Sequence, residues 1–195
     1  MWRWILIALL ALGAWHWSST REVTHPPGIL VAASPVQLPL GERLPHLSKP
    51  GHRVTPLERF SLEARVLGTE RYWFDRGAEL APVDLALGWG PMSDSAVLDQ
   101  ISMNQTGRFY FWHVPQFPIP RQDIEVNSAN MHMIPANPEV ERALKDVRVG
   151  QIVRVSGYLV EIVGDDGWRW RSSLTRTDTG NGACELVWVE HLEVL

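Results

Sequence analysis

Residues 151–175 read QIVRVSGYLVEIVGDDGWRWRSSLT, and this stretch constrains the fold more than any other. A run rich in Val and Ile, residues 151–163, meets Gly164-Asp165-Asp166-Gly167 and then a second run, residues 168–175, in which Trp and Arg alternate. Two β-favouring runs around a glycine-bounded turn form a β-hairpin. Gly157, inside the longer run, marks a bulge or a bend. A hairpin alone cannot bury its apolar face, so the rest of the chain must supply partners.

Those partners are legible. Phe60, Leu62, Ala64 and Val66 recur with period two and predict a half-buried strand. Residues 108–114 (RFYFWHV) and 184–194 predict two more. Between Phe74 and Asp94, three glycines and two prolines preclude a long regular element. Ser93 or Asp94 can cap a short helix through SAVLDQI. Asn137-Pro138-Glu139 starts a second helix, with Asn as N-cap, Pro at the first helical position and an acid in the first turn. Val140, Ala143, Leu144 and Val147 follow at helical spacing, and Gly150 ends the element. The expected fold is α+β and β-rich: a small, partly open antiparallel barrel or roll of the OB-like type, with short helices.

The N-terminus carries a different signal. WILIALLALGAWHW, residues 4–17, is apolar except for His16 and follows one basic residue, Arg3. As a helix its dozen or so apolar residues span about 20 Å, short of the ~30 Å hydrocarbon core, so length fits a signal peptide as well as an anchor. Trp2, Trp4, Trp15 and Trp17 flank the run as an aromatic belt would, and Leu12 spoils the small-x-small cleavage pattern. Residues 1–20 are therefore expected to be a retained signal anchor, with a cleaved signal as the alternative. Both readings export the chain.

From Thr24 to Pro56 stand seven of the fourteen prolines, which exclude helix interiors and central strands. Residues 21–57 are expected to be an extended stalk, or in part to wrap the domain through ILVAASPVQLPL, and residues 58–195 to form one globular domain. The formal net charge of −4 gives no broad phosphate-binding footprint, so nucleic acid is not an expected partner. The single cysteine, Cys184, cannot make an intramolecular disulfide.

Candidate chemistry concentrates in TRTDTGNGACE, residues 175–185. Asp178-Thr179-Gly180 matches the loop motif of aspartic proteases, but the polar lead of Thr175, Arg176 and Thr177 replaces the apolar strand that chemistry needs, and no second copy exists. Cys184 with His132 as base and Asp178 or Glu185 as orienting acid would make a thiol nucleophile. Against this, Cys184 alternates in register with Leu186 and Trp188, which makes it a small buried hydrophobe. Met131-His132-Met133 offers copper-type ligands, yet an extended chain puts the methionines on one face and His132 on the other. No cofactor and no metal site is expected. In the returning strand Trp168 and Trp170 share one side while Arg169 and Arg171 share the other, with Arg176 beyond. The arginines either pair with Glu161 or Glu185 or meet an anionic partner.

FDRGAELAPVDLALGWGPMSD, SANMHMIPAN and RSSLTRTDTGNGACELVWVE resemble the hallmark blocks of an uncharacterised family of bacterial single-pass membrane proteins. The resemblance runs from about Pro26 to Val189 and implies a bacterial envelope protein, with no activity, cofactor or functional residue to carry over. The expectation is thus an inner-membrane protein with its domain in the periplasm, tethered by its N-terminal helix and acting as a binding or interaction module, with an envelope protein as candidate partner. Arg169, Arg171, Arg176, Asp178 and His132 are its expected contact residues. A thiol-dependent enzyme using Cys184 with His132, and a structural scaffold of a membrane assembly, are the alternatives; the enzymatic reading is the less favoured.

Overall fold

Alternating apolar residues recur in five separate segments, and their pairing settles the architecture. The structure, a computed structural model, describes residues 2, 4–7, 21–175 and 183–195. In chain order the elements are β1 (Val36–Leu38), β2 (Ser48–Lys49), β3 (His52–Arg71), β4 (Val83–Gly88) and a 3-10 turn (Gly90–Ser93). There follow α1 (Ser95–Leu98), β5 (Ser102–Thr106), β6 (Phe109–His113), α2 (Arg121–Val126) and β7 (Ser128–Pro135). The chain closes with α3 (Pro138–Asp146), β8 (Ile152–Gly164), β9 (Arg169–Arg171) and β10 (Glu185–Val194).

β3 is long enough to pair with β8 through residues 52–65 and with β4 through residues 65–71. β4 pairs with β7, β7 with β10, and β10 with β8, so the pairings return to β3 and close a ring of five strands. Four of those contacts are antiparallel, but β7 and β10 run parallel, so the expected all-antiparallel barrel is in fact a mixed one. Physically, a parallel pair needs a long crossover, which α3, β8 and β9 provide between β7 and β10.

Inside the ring, Phe60, Leu62, Ala64 and Val66 of β3 meet Leu85 of β4, Met131 and Met133 of β7, Val155 and Leu159 of β8, and Val187 and Val189 of β10. Val140, Leu144 and Val147 bring α3 onto the same core. Asn137 caps α3 as its sequence predicts, its side chain accepting from the N–H groups of Glu139 and Val140 at 3.0 Å. The helix stops at Asp146, short of Gly150. The opposite parity of β7, β8 and β10 presents Ile134, Tyr158, Val160, Ile162, Leu186 and Trp188 outward, where Leu80, Trp168 and Trp170 cover them in a second apolar layer. Asp94 is the N-cap of α1, its side chain accepting from Ala96 N–H.

Gly157 lies in β8 between Phe60 of β3 and Val189 of β10, at a close approach: an added Cβ would lie 1.9 Å from the Trp188 carbonyl oxygen. The strand opposite it, β10, shifts register between Val189 and His191.

The proline-rich segment is extended, but its described part runs along the barrel. Val23 N–H donates to Val149 O at 2.9 Å, and the backbone N–H groups of Leu30 and Val31 donate to Ser93 Oγ at 3.1 and 3.0 Å. Val31 is 5% exposed and belongs to the barrel core, and β1 pairs with β3. β3 starts at His52, so residues 52–57 fall within the barrel; Pro56 is accommodated at a register shift in that strand. Most of the expected anchor lies outside the described residues, among which no helix is long and apolar enough to cross a membrane.

Candidate binding site

The outer face of β4 and β7 carries a row of polar residues that the sequence hides among apolar ones. Asp84 stands directly across from His132 in the β4–β7 register, and Asn130 across from Ala86. Asp84 is fully buried and His132 is 3% exposed. A buried carboxylate is tolerable only with opposite charge and donors around it, and Asp84 has them. Arg108 Nη1 donates to Asp84 Oδ1 at 2.8 Å, and Asn130 Nδ2 to Oδ2 at 3.3 Å. His132 Nδ1 lies 2.9 Å from Oδ2, at ion-pair distance but without the alignment of a hydrogen bond.

Arg108 is the hub of the cluster. It lies in the turn between β5 and β6, where both Gly107 (φ 58°) and Arg108 (φ 74°) have positive φ, the demand of a type I′ hairpin. An arginine pays strain for that conformation, and the surroundings hold it there. Its backbone N–H donates to Tyr72 Oη at 3.0 Å, its Nη2 donates to Asp75 Oδ1 at 2.8 Å and its Nη1 also donates to Ala81 O at 2.8 Å. Its guanidinium carbon lies 3.6 Å from the centre of the Tyr72 ring, a cation–π contact. Burial first, and the Asp84 carboxylate second, push the Tyr72 phenol up to about 12.

Above this floor the β8–β9 hairpin folds over. Between ring centroids, Trp170 lies 4.7 Å from His132 and 5.7 Å from Trp168. Arg169 Nε and Arg171 Nη1 both donate to Glu161 Oε1, at 2.6 and 3.1 Å. Burial pushes the Glu161 carboxyl up, but the two arginines outweigh it and hold the group below its usual range. Arg76 pairs with Asp166 and stacks over Trp168 at 4.9 Å.

Two adjoining clefts open here. One, of 400 Å³, lies between residues 75–77, Arg108, His132 and the tryptophans and arginines of the hairpin. The other, of 540 Å³, runs along β6 between α2, β7 and the start of β10. Phe109 and Cys184 line both. Both volumes fall in the range of about 300–1,000 Å³ usual for small-molecule sites.

Of the residues singled out in the sequence, His132, Arg169, Arg171 and Cys184 come together around the smaller cleft. Arg176 and Asp178 lie outside the described residues. Cys184 is half-buried rather than sealed in the barrel, because Leu186 and Trp188, with which it alternates, face the outer apolar layer. Its thiol lies 3.9 Å from the Arg108 carbonyl oxygen. Glu161, not the buried Glu185, is the partner of Arg169 and Arg171. Met131 and Met133 are core residues on the face opposite His132, and no group of three metal-ligating side chains occurs among the described residues.

Sequence reasoning missed Tyr72, Asp75, Asp84 and Arg108. Asp84 had one visible mark, a charge inside the otherwise apolar run VDLALG. Arg108 follows Gly107 between two β-favouring runs, which is the mark of a tight hairpin. No family model, no curated protein and no solved structure matches this chain.

Proposed function

We infer that the protein is a binding module of the bacterial envelope, tethered to the membrane by its N-terminal segment, and that its barrel is of the oligonucleotide/oligosaccharide-binding type. The connectivity supports the second point. The first barrel strand, β3, pairs with both the second, β4, and the fourth, β8; the fifth, β10, runs parallel to the third, β7; and α3 lies between third and fourth. Barrels of that type take ligands on the face of their second and third strands, between the loops joining strands one to two and four to five.

The observation that carries the reading is the coincidence of the cleft with that face. The 400 Å³ cleft is lined by residues 75–77 from the first of those loops, His132 from the third strand, and residues 168–171 and Cys184 from the connection between the fourth and fifth strands. Aromatic side chains and fixed polar groups converge there, as a binding site requires.

A photo-crosslinking residue at Phe109, in the wall shared by both clefts, tests this in intact cells. Arg154, which pairs with Glu63 and Glu193 on another part of the surface, is the control position. Saturable adducts at position 109 and not at 154 are expected; equal labelling at both would sink the reading.

One observation favours thiol chemistry as a second reading: Asp84 sits beside His132 Nδ1, as an orienting acid would, and Cys184 lines the same cleft. The rate of Cys184 alkylation by iodoacetamide separates the two. A structural thiol accelerates only as pH approaches about 8.5, whereas an imidazole-activated thiolate reacts quickly near neutrality.

A further inference from the structure

The ligand class of this cleft follows from its charge balance, an inference that rests on the binding reading above. Among the described residues four guanidinium groups line the smaller cleft, those of Arg76, Arg108, Arg169 and Arg171. Each is already matched inside the molecule. Arg76 pairs with Asp166, Arg108 with Asp75 and Asp84, and Arg169 and Arg171 with Glu161. Among the described residues four carboxylates thus offset four cations at ion-pair distance, although only Asp75 of the four lines the cleft itself.

That balance discriminates between ligands that aromatic platforms alone accept equally. Trp168, Trp170 and Phe109 can stack on a nucleobase or on the C–H face of a pyranose ring. A nucleic acid or other phosphorylated ligand, however, gains its affinity by neutralising phosphates with available cations and releasing counterions. Here it would first have to displace built-in carboxylates. A sugar hydroxyl needs no such displacement, because it donates and accepts at once: it can accept from a guanidinium N–H while donating to Asp75, the paired carboxylate that lines the cleft. Guanidinium–carboxylate pairs beside tryptophan rings therefore suit an uncharged polyol.

The geometry points to an uncharged oligosaccharide as the ligand of the cleft bounded by Arg76, Arg108, His132, Trp168, Trp170 and Arg171. Glu161 sets this selectivity. Its Oε1 is the shared acceptor of both Arg169 and Arg171, so neutralising it leaves the two guanidinium groups facing the cleft with uncompensated charge.

The test is a calorimetric titration of the full chain, held in a detergent without a sugar headgroup. The probes are chitotetraose, cellotetraose and maltotetraose, with an eight-nucleotide deoxythymidine oligomer and inorganic phosphate alongside. Saturable binding of at least one neutral tetrasaccharide, unchanged within twofold between low and physiological salt, is expected. Trp168→Ala should weaken it at least tenfold; should that variant not fold, Arg171→Ala carries the same comparison. Glu161→Gln should leave glycan affinity within a few-fold and add salt-sensitive binding of the thymidine oligomer. The ligand class is overturned if no neutral tetrasaccharide binds, if the wild-type chain prefers the oligomer or phosphate, or if Glu161→Gln gains no anion binding. Crosslinking at Phe109 that persists after a negative titration would remove the glycan and leave the binding site standing.

Discussion

Arg108 shows how one side chain can hold a site together. Its main chain adopts a conformation that favours glycine, and its side chain meets Tyr72, Asp75 and Asp84, three residues contributed by two other segments. Replacing it by methionine would keep much of the volume and remove the cation. Asp84, fully buried, would then lack its principal counter-charge, and breaking a buried pair from one side costs about 3 kcal/mol or more. Arg108→Met should accordingly lower the unfolding free energy by about that amount in urea titrations. Tyr72 supplies a second prediction at this scale. Its phenol ionises near 12 in the folded protein and near 10 in an unfolded chain. Between those values the unfolded chain has released the proton and the folded chain retains it, so the stability this group contributes is complete below about pH 10 and is lost as pH rises towards 12. A spectrophotometric phenolate titration should show two late-titrating tyrosines, Tyr72 and Tyr110, the second also pushed up by burial, and Tyr72→Phe should remove one of them.

Glycine positions decide how the elements close. At Gly150, φ is 85° and an added Cβ would lie 1.9 Å from the Val23 carbonyl oxygen, just where His25 Nε2 meets the Gly150 carbonyl at 2.7 Å. Gly150→Ala should therefore loosen the contact of residues 23–25 with the barrel, seen as faster tryptic cleavage at Arg21 with the barrel intact. Elements with a local cause were legible from the sequence. The period-two run at Phe60, the Asn137 cap and the glycine turn at residues 164–167 all appear where their chemistry puts them. What the sequence concealed is non-local. Nothing in VDLALG says that its aspartate will face His132 across a register set by the whole sheet, and nothing near Cys184 says that β10 will run parallel to β7. Alternation along one strand tells which residues share a face. Whether that face looks into the barrel or into an outer layer depends on the strands beside it.

At the scale of the molecule, the described proline-rich segment is part of the fold rather than an appendage. Val31 occupies the barrel core, Gly90 N–H donates to Val31 O at 2.7 Å, and Gln37 Nε2 donates to Glu58 at 2.8 Å. A chain beginning at residue 32 loses the first two of these contacts and leaves an opening in the core. It should unfold at a measurably lower temperature than one beginning at residue 21, with a difference of about 2 kcal/mol for the lost apolar burial alone. A free stalk would give equal midpoints.

The docking of Val23 onto the barrel would also limit how far that end of the barrel could stand from a membrane. If residues 4–17 lie in a bilayer, as their sequence leads one to expect, six residues of sequence separate Trp17 from the docked Val23. Fully drawn out, six residues reach about 20 Å. The Val149 end of the barrel would then stay near the lipid headgroups, while the β8–β9 hairpin that lines the smaller cleft stands at the other end of β8, so a ligand would be met about one strand length further out.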